Sequence, residues 1–438
     1  MMKKAKQFPN VLLITIDSLR PDYLGCYSQW AKEENLSPHI DSWAEDAVLF
    51  ENAIAQGPRT PESFPALLSG QYMTRYRDAF TGLSQERKLI SQMLKGNDYL
   101  TAAFNSNPYI SKHSNYDRGF DIFVDELFRT AGGSLIRKLL LKYLHLKGLL
   151  GTPYTSADKV NQRVFSLFQN IKQPYFVWVH YMDVHGPYVS KKGWHFKNTV
   201  RGGMLWRKAT HAPKELKPKE KEELVNTYKE EVHYTDFHIG ELLSKVDEHK
   251  TLAILTSDHG ELLGEHGLFA HVPGVLYDQL LKVPLIVKPP STCLVRESRI
   301  SRAVKLLDVV PTILDILNLD HHSAFDGESL VPLIQGDTEA YKCESIISEV
   351  WTKLLSVRKK QWKFIAHYAN GTKHLYNLQN DPNEKHNLAD ERRDIVEKMQ
   401  QKLKDHLLEV NAPSEDLEKC GFGGDEAIKA QLKALGYM

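Results

Sequence analysis

Three clusters of polar residues lie at the ends of short apolar runs, and their side chains could bind a metal ion or take part in catalysis. Asp17 follows the first run, residues 180–185 close the second, and Asp258 and His259 follow the third. An unpaired buried carboxylate is costly, so Asp17 is either a metal ligand or the N-cap of a helix. Two carboxylates and one imidazole suit calcium, magnesium, manganese or zinc. Asp17, Asp258 and His259 together therefore predict a divalent cation site.

A fourth polar position, Thr60, heads a segment that is expected to enter a helix. The hydroxyl would then lie beside unpaired backbone N–H groups, which favour a bound anion. The alternative is that Thr60 is a plain N-cap that only satisfies one of those groups.

The elements that must position these residues are buried strands alternating with helical patterns. Short runs rich in β-branched and aromatic residues occupy positions 11–16, 175–180, 252–257 and 283–287. Such alternation predicts an α/β fold with a mostly parallel sheet covered by helices on both faces. In such a sheet the strand ends of one polarity meet in a single crevice, so we expect the polar clusters to converge there.

Composition excludes several classes of protein. The 438 residues contain 56 Lys and Arg against 55 Asp and Glu, a formal charge of +1, which provides no global field for binding nucleic acid. Four scattered cysteines indicate neither a disulfide framework nor a thiolate zinc site. No apolar run is long enough to span a membrane, and the N-terminus lacks the pattern of a signal peptide. We therefore expect a cytoplasmic protein.

Three further segments stand out. Residues 134–150 form a basic amphipathic stretch, which is either an interfacial helix or lid that meets the substrate, or a surface helix packed on the sheet. Residues 191–221 are basic and punctuated by Gly and Pro, and we predict a long loop leading into a helix over 224–246. We predict a catalytic domain over 1–344 and a small α+β subdomain over 345–438.

These motifs resemble, over nearly the whole chain, the sulfatase family of the alkaline phosphatase superfamily. The matching stretches are residues 14–22, 24–27, 66–70, 179–188, 257–261, 271–287, 308–312 and 375–389. The resemblance implies an alkaline phosphatase-like sheet sandwiched by helices, with Asp17, Asp258 and His259 holding a divalent cation. It places Thr60 at the nucleophile position, between the metal and the substrate.

The resemblance also assigns two histidines and suggests one amide. His185 matches the family histidine near the leaving group, and His271 stands where a substrate-contacting basic residue, often lysine, is usual. Either histidine could instead be structural. Asn107 is a candidate donor to a non-bridging oxygen of the substrate.

The departures from the family pattern concern the chemistry. Sulfatases carry a Cys or Ser that is oxidised to formylglycine, and Thr60 cannot become that aldehyde. Phe64 replaces an arginine of the signature, Ser18 replaces a second aspartate, and residues 105–107 replace a Gly-Lys pair.

A single hydroxyl at Thr60 favours phosphorus over sulfur, because the covalent ester must be resolved by water or an acceptor alcohol. The sequence therefore predicts a metal-dependent hydrolase or transferase of small-molecule, glycan or lipid phosphate esters, diester-like because one metal site is evident. His180, Asp183 and His185 could contribute a second ion. The alternatives are a sulfatase acting without formylglycine and a non-catalytic binder of anionic glycan or lipid.

Overall fold

The computed structural model describes residues 8–76, 82–125, 154–190, 195–272, 274–320 and 324–412. The basic stretch at 134–150 lies outside the described residues. No helix within the described ranges combines the length and the apolar character needed to cross a membrane.

Strands from the whole length of the chain build the described part of the protein. They are β1 (Asn10–Ile16), β2 (Val48–Ile54), β3 (Leu100–Asn105), β4 (Ile122–Asp125), β5 (Tyr175–Tyr181), β6 (Thr251–Ser257), β7 (Leu262–Leu263), β8 (Phe269–Ala270), β9 (Lys282–Lys288), β10 (Arg299–Ile300), β11 (Val304–Lys305), β12 (Ile346–Val350), β13 (Leu354–Lys359), β14 (Trp362–His367) and β15 (Thr372–Asn377).

Helices connect and cover these strands. They are α1 (Gln29–Glu33), α2 (Pro38–Ala44), α3 (Thr60–Ser69), α4 (Ile90–Lys95), α5 (Ala157–Phe168), α6 (His195–His211), α7 (Pro218–Leu243), α8 (Asp278–Leu281), α9 (Val309–Ile316), α10 (Val331–Ile334) and α11 (Arg393–Glu409).

The large sheet is mostly parallel, as the alternating pattern predicts. Its strand order is β10-β2-β9-β6-β1-β5-β3-β4, with β11 also pairing with β2. Only β9 runs antiparallel to its neighbours among the described strands of this sheet. The four strands predicted from apolar runs are confirmed as β1, β5, β6 and β9.

Helices bury both faces of the sheet, which explains why its central strands are apolar at nearly every position. In β1, Leu13 faces a core cluster shared with α3, α4 and α9, whereas Leu12 and Ile14 face a second cluster shared with α2, α5 and α7. All of these side chains are fully buried. Continuous apolar strands of this kind are expected only where both faces are covered.

The predicted loop at 191–221 is wrong for most of its length, because α6 occupies His195–His211. Two adjacent glycines in this segment argue against a helix on propensity alone. One of them lies where a side chain would not fit: a Cβ on Gly202 would lie 2.2 Å from the carbonyl oxygen of Tyr188. The glycine thus allows the helix to approach the chain that follows β5, and tertiary packing overrides propensity. The helix predicted over 224–246 is confirmed as α7.

A smaller antiparallel sheet of β12–β15, covered by α11, follows the large sheet in sequence. The sequence predicts short strands over 345–350, 362–367 and 373–376, which correspond to β12, β14 and β15, and does not predict β13. Leu355 and Phe364 of this sheet share a core cluster with Leu403 of α11 and with Ala66 of α3. The small sheet therefore supports the helix that begins with Thr60. The domain boundary at 344/345 stays a prediction.

A largely buried ion-pair network joins the two sheets at Asp278, the first residue of α8. Lys363 of β14, whose side chain is 2% exposed, lies with Nζ 2.7 Å from Asp278 Oδ1 and 2.7 Å from Glu384 Oε1. Arg358 of β13 contacts the other oxygen of Asp278. Burial raises the pKa of Asp278, but Arg358 and Lys363 outweigh this effect and hold the pKa well below its usual range.

We expect Asp278→Asn to lower the free energy of unfolding by about 3 kcal/mol at neutral pH, because two buried cations lose their shared partner. Because the folded-state pKa is depressed, the stabilisation is present above the unfolded-state pKa and is lost as Asp278 becomes protonated. The difference between the two proteins should therefore shrink only below about pH 4. Urea titrations followed by circular dichroism would measure it. Glu344→Gln, which breaks an exposed pair with Lys359, should change nothing; an equal effect of both variants would contradict the network's role.

Candidate active site

The parallel register of two central strands places two carboxylates side by side. Ile16 of β1 is paired with Ser257 of β6. The next residues, Asp17 and Asp258, therefore leave the sheet together at its carboxyl edge. This is the convergence that the sequence predicts for an open α/β sheet.

Asp17, Asp258 and His259 form the group of potential metal ligands found among the described residues. One ligand atom of each lies within 4.8 Å of the others, and all three residues are fully buried. Among the described residues, His259 Nε2 has no hydrogen-bond partner, and it lies 3.7 Å from Asp17 Oδ1 and 3.5 Å from Asp258 Oδ2. Two buried carboxylates and an imidazole nitrogen without a partner fit an oxygen- and nitrogen-binding divalent ion.

The electrostatics of the group show why it needs a cation. Burial raises the pKa of Asp17, but His185, His180 and His259 together hold it well below its usual range. Burial and the charge of Asp17 both raise the pKa of Asp258. Burial lowers the pKa of His259, yet the two carboxylates raise it overall. Two carboxylates buried side by side thus favour positive charge close to them.

Thr60 is the first residue of α3, and its side chain lies against both carboxylates. Its Oγ1 is 3.0 Å from Asp258 Oδ2 and 3.3 Å from Asp17 Oδ2. Ser63, three residues after Thr60 in α3, also faces this site. Its hydroxyl donates to the carbonyl oxygen of Asp258 at 2.6 Å. The side chain of Thr60 makes no N-cap hydrogen bond, since Arg59 occupies the cap position. The hydroxyl is therefore directed to the ligand group rather than to its own helix.

Asn107, after β3, completes the surroundings of Thr60. Its Nδ2 donates to Asp17 Oδ2 at 2.9 Å and lies 3.3 Å from Thr60 Oγ1. Its Oδ1 accepts from the backbone N–H of Tyr109 at 2.9 Å, which fixes the orientation of the amide. The predicted substrate donor thus lies beside the nucleophile candidate, with one of its hydrogens engaged by Asp17.

His185 lies beside this group, in the turn after β5. Its Nδ1 is 2.6 Å from the carbonyl oxygen of Gly186, which can only accept, so the neutral ring carries its proton on Nδ1. Tyr154 also contacts this nitrogen, at 3.0 Å. Burial is the main cause that lowers the pKa of His185. Nε2 is the nitrogen left for proton transfer.

A short hairpin brings Glu261 and His271 together. Leu262 of β7 is paired with Ala270 of β8, so the preceding Glu261 lies opposite the following His271. His271 Nδ1 is 3.2 Å from Glu261 Oε1. The ring of His271 lies between those of His185 and His259, with centroids 4.8 Å away in both cases.

The departures from the family pattern leave this site with few cationic side chains. Phe64 is fully buried and packs edge-on against His180, with ring centroids 5.1 Å apart. Ser18 donates to Asp17 Oδ1 at 2.9 Å instead of supplying a carboxylate. The second ion considered for His180, Asp183 and His185 finds no support, since none of the three belongs to the ligand group of the described residues.

The residues that the sequence predicts for the site lie close together, and their roles stay predictions; two neighbouring residues are not predicted. Glu261 stands in a motif stretch, yet its contact with His271 depends on the hairpin register. Tyr154 follows a segment without any recognisable motif, and no sequence signal indicates it.

Two family models together, and a curated relative, match this chain over most of its length. The model of the family described as Sulfatase matches residues 9–319, and the model described as N-sulphoglucosamine sulphohydrolase, C-terminal, matches residues 264–412. Bos taurus Arylsulfatase K is 26% identical over 478 aligned positions, covering 96% of this chain and 85% of that protein.

Solved structures with the same fold include two kinds of hydrolase. The phosphonate monoester hydrolase of Agrobacterium radiobacter aligns with a TM-score of 0.72 and 18% identity, covering 92% of this chain and 95% of that chain. BT1596, a 2-O GAG sulfatase, aligns with a TM-score of 0.73 and 16% identity, covering 94% of each chain. These likenesses confirm the predicted alkaline phosphatase-like α/β fold with a small C-terminal antiparallel sheet.

We expect Asp258→Asn to lose most of the affinity for Mn²⁺, because it removes a charged ligand from a buried site. Titration calorimetry of metal-depleted protein would measure the affinity and the stoichiometry. The matched control is Asp183→Asn, a buried acidic residue outside the ligand group, which should bind one ion as the wild type does. Two ions bound to the wild type and one to the control would contradict the single site.

Proposed function

Because the chain belongs to the sulfatase family, we propose that it is a metal-dependent ester hydrolase that uses Thr60 as its nucleophile on monoanionic, diester-like phosphate or phosphonate esters. The observation that carries the proposal is the position of Thr60 Oγ1, 3.0 Å and 3.3 Å from carboxylate oxygens of the metal-ligand candidates. The intact arrangement of nucleophile, ligand group and two histidines favours an enzyme over a non-catalytic binder.

Asp17, Asp258 and His259 would hold the ion, with Thr60 beside it. A bound divalent ion lowers the pKa of a coordinated hydroxyl and draws charge from the ester oxygens. Thr60 gives its proton to the neighbouring carboxylate group, and its oxygen attacks phosphorus in line with the leaving oxygen. The bond between Thr60 and phosphorus forms while the bond to the leaving oxygen breaks.

His185 would act as the general acid and base at the leaving group. As the imidazolium, it gives the Nε2 proton to the leaving oxygen, and as the neutral ring it then takes a proton from the water that hydrolyses the Thr60 ester. That second step breaks the bond between Thr60 and phosphorus, and the carboxylate group that took the Thr60 proton in the first step returns it to the threonine oxygen. The lowered pKa of His185 favours the neutral form that the second step needs.

The preference for a monoanion follows from the charges around the site. Among the described residues, the positions that carry Arg and Lys in the family pattern hold Phe64 and an asparagine-rich stretch. Histidines, including His271, are then the basic residues beside the ligand group. Because Nδ1 of His271 contacts Glu261, Nε2 lies on the other side of the ring, away from that carboxylate. Such a site compensates one negative charge better than the two of a phosphate monoester.

Sulfate esters are the second candidate substrate, because they are also monoanions and because Arylsulfatase K, which matches 96% of this chain, carries that activity in its name. Charge alone does not separate the two classes. The nucleophile separates the two classes, because the covalent ester of a threonine must be cleaved by an incoming water or alcohol. A formylglycine hydrate can release the group that it carries without an incoming nucleophile. That requirement favours phosphorus.

Thr60→Ala should lower kcat by about a thousandfold or more on the best substrate, because it removes the attacking oxygen. Parallel assays with a 4-nitrophenyl phosphodiester, a phosphonate monoester and a sulfate, each with added Mn²⁺, would rank the substrates. Thr60→Ser should retain part of the activity.

The matched control is Ser69→Ala, which removes a buried hydroxyl at the other end of α3, where it donates to the carbonyl of Pro65. Its kcat should stay near that of the wild type. Undiminished turnover in Thr60→Ala would exclude the assigned nucleophile, and sulfate as the preferred substrate would favour the second candidate.

His185→Gln should lower kcat by a factor that depends on the leaving group. The loss should be small for 4-nitrophenol, which leaves as a stable anion, and about a hundredfold or more for an alkyl alcohol, which needs a proton. A plot of log kcat against leaving-group pKa for both proteins would show a steeper slope in the variant. Parallel lines would contradict the general-acid role.

A further inference from the structure

His180 of β5 is fully buried and faces Asp17 without belonging to the metal-ligand group. Its Nε2 lies 3.4 Å from Asp17 Oδ2, and this nitrogen has no hydrogen-bond partner among the described residues. Phe64 and Trp178 pack against the ring, with centroids at 5.1 Å and 6.3 Å. A buried imidazole nitrogen directed at one carboxylate oxygen calls for an explanation.

The other ring nitrogen is held by a chain of hydrogen bonds whose direction can be deduced. Trp178 Nε1 can only donate, and it donates to Thr15 Oγ1 at 2.9 Å. The hydroxyl proton of Thr15 then has two possible acceptors, His180 Nδ1 at 2.8 Å and the carbonyl oxygen of Val179 at 3.4 Å. The shorter contact is the better hydrogen bond.

If Thr15 donates to Nδ1, the neutral His180 ring must carry its proton on Nε2. Asp17 Oδ2 lies 3.4 Å from that nitrogen, longer than a normal hydrogen bond, and also accepts from Asn107 at 2.9 Å. The opposite oxygen, Oδ1, faces His259 Nε2 at 3.7 Å. The two oxygens of Asp17 thus have different surroundings. Oδ2 lies near Asn107 and His180, whereas Oδ1 accepts from Ser18 and lies on the side of His259.

We propose that His180 is a positioning residue that donates from Nε2 to Asp17 and so orients this carboxylate toward the metal ion, with Thr15 and Trp178 selecting the donating tautomer. The inference rests on the proposed metal site but goes beyond it, because it assigns the support of Asp17 to three residues of the sheet interior. Partners of metal-ligating carboxylates commonly contribute about 10- to 100-fold to metal affinity.

The test measures Mn²⁺ binding to metal-depleted protein by titration calorimetry, so that it does not depend on turnover. His180→Leu keeps the volume but removes the donor, and its Kd for Mn²⁺ should rise about tenfold or more. His180→Gln places an amide N–H near the position of Nε2, and its Kd should stay within a few-fold of wild type. Thr15→Val, an isosteric change that removes only the tautomer-selecting hydroxyl, should weaken binding by an intermediate factor.

The matched control is His406→Leu, a buried histidine of α11 whose Nε2 lies 3.1 Å from Glu349, remote from the ligand group. It can lower the thermal unfolding temperature, but its Kd for Mn²⁺ should equal that of the wild type. Wild-type affinity in both His180→Leu and Thr15→Val would overturn the inference. If His180→Leu does not fold, wild-type affinity in Thr15→Val alone overturns it.

Electron spin echo spectroscopy of bound Mn²⁺ separates a positioning role from direct ligation. The nitrogen coupling should persist in His180→Gln, because it comes from His259. Its loss in that variant would show that His180 is itself a ligand and would overturn the inference. If the wild type does not bind Mn²⁺ at all, both the proposed metal site and this inference fail, whereas wild-type binding with unaffected variants defeats only the latter.

Discussion

Two carboxylates buried next to each other are the constraint on which the rest of the site depends. Asp17 and Asp258 are brought together by the parallel register of β1 and β6, and neither is exposed to solvent. Such a pair is tolerated only where cations or donors surround it. His259, Asn107 and the start of α3 meet this need, and the proposed function assigns them to the metal site, the substrate and the nucleophile.

The surrounding structure supports this centre from two directions. The small C-terminal sheet packs against α3 through Ala66 and is tied to α8 by the ion pairs of Asp278. The interior of the large sheet contributes the hydrogen-bonded row from Trp178 through Thr15 to His180, which ends at Asp17. Elements to which the sequence assigns no chemical role therefore contact the residues of the candidate site.

Two replacements relative to the family pattern, Phe64 and His271, reduce the positive charge of the site, whereas Ser18 removes a negative charge. Phe64 occupies an arginine position and packs on a histidine, and Ser18 donates a hydrogen bond where an acid is usual. His271, held by Glu261, takes the place of a lysine. Together with a threonine that cannot be converted to an aldehyde, these changes suit a substrate with one negative charge and a covalent intermediate resolved by an external nucleophile.

The sequence alone determines four strands of the large sheet, β1, β5, β6 and β9, and the polar residues at the ends of three of them, because buried strands are apolar throughout and their end residues are not. Asp17, Asp258 and His259 are found in this way, whereas Thr60 is found at the expected start of a helix. Only the tertiary structure decides that Glu261 meets His271, that Tyr154 reaches His185, and that α6 forms despite its glycines. These contacts join segments distant along the chain, or depend on a hairpin register, and local sequence patterns carry no information about such distances.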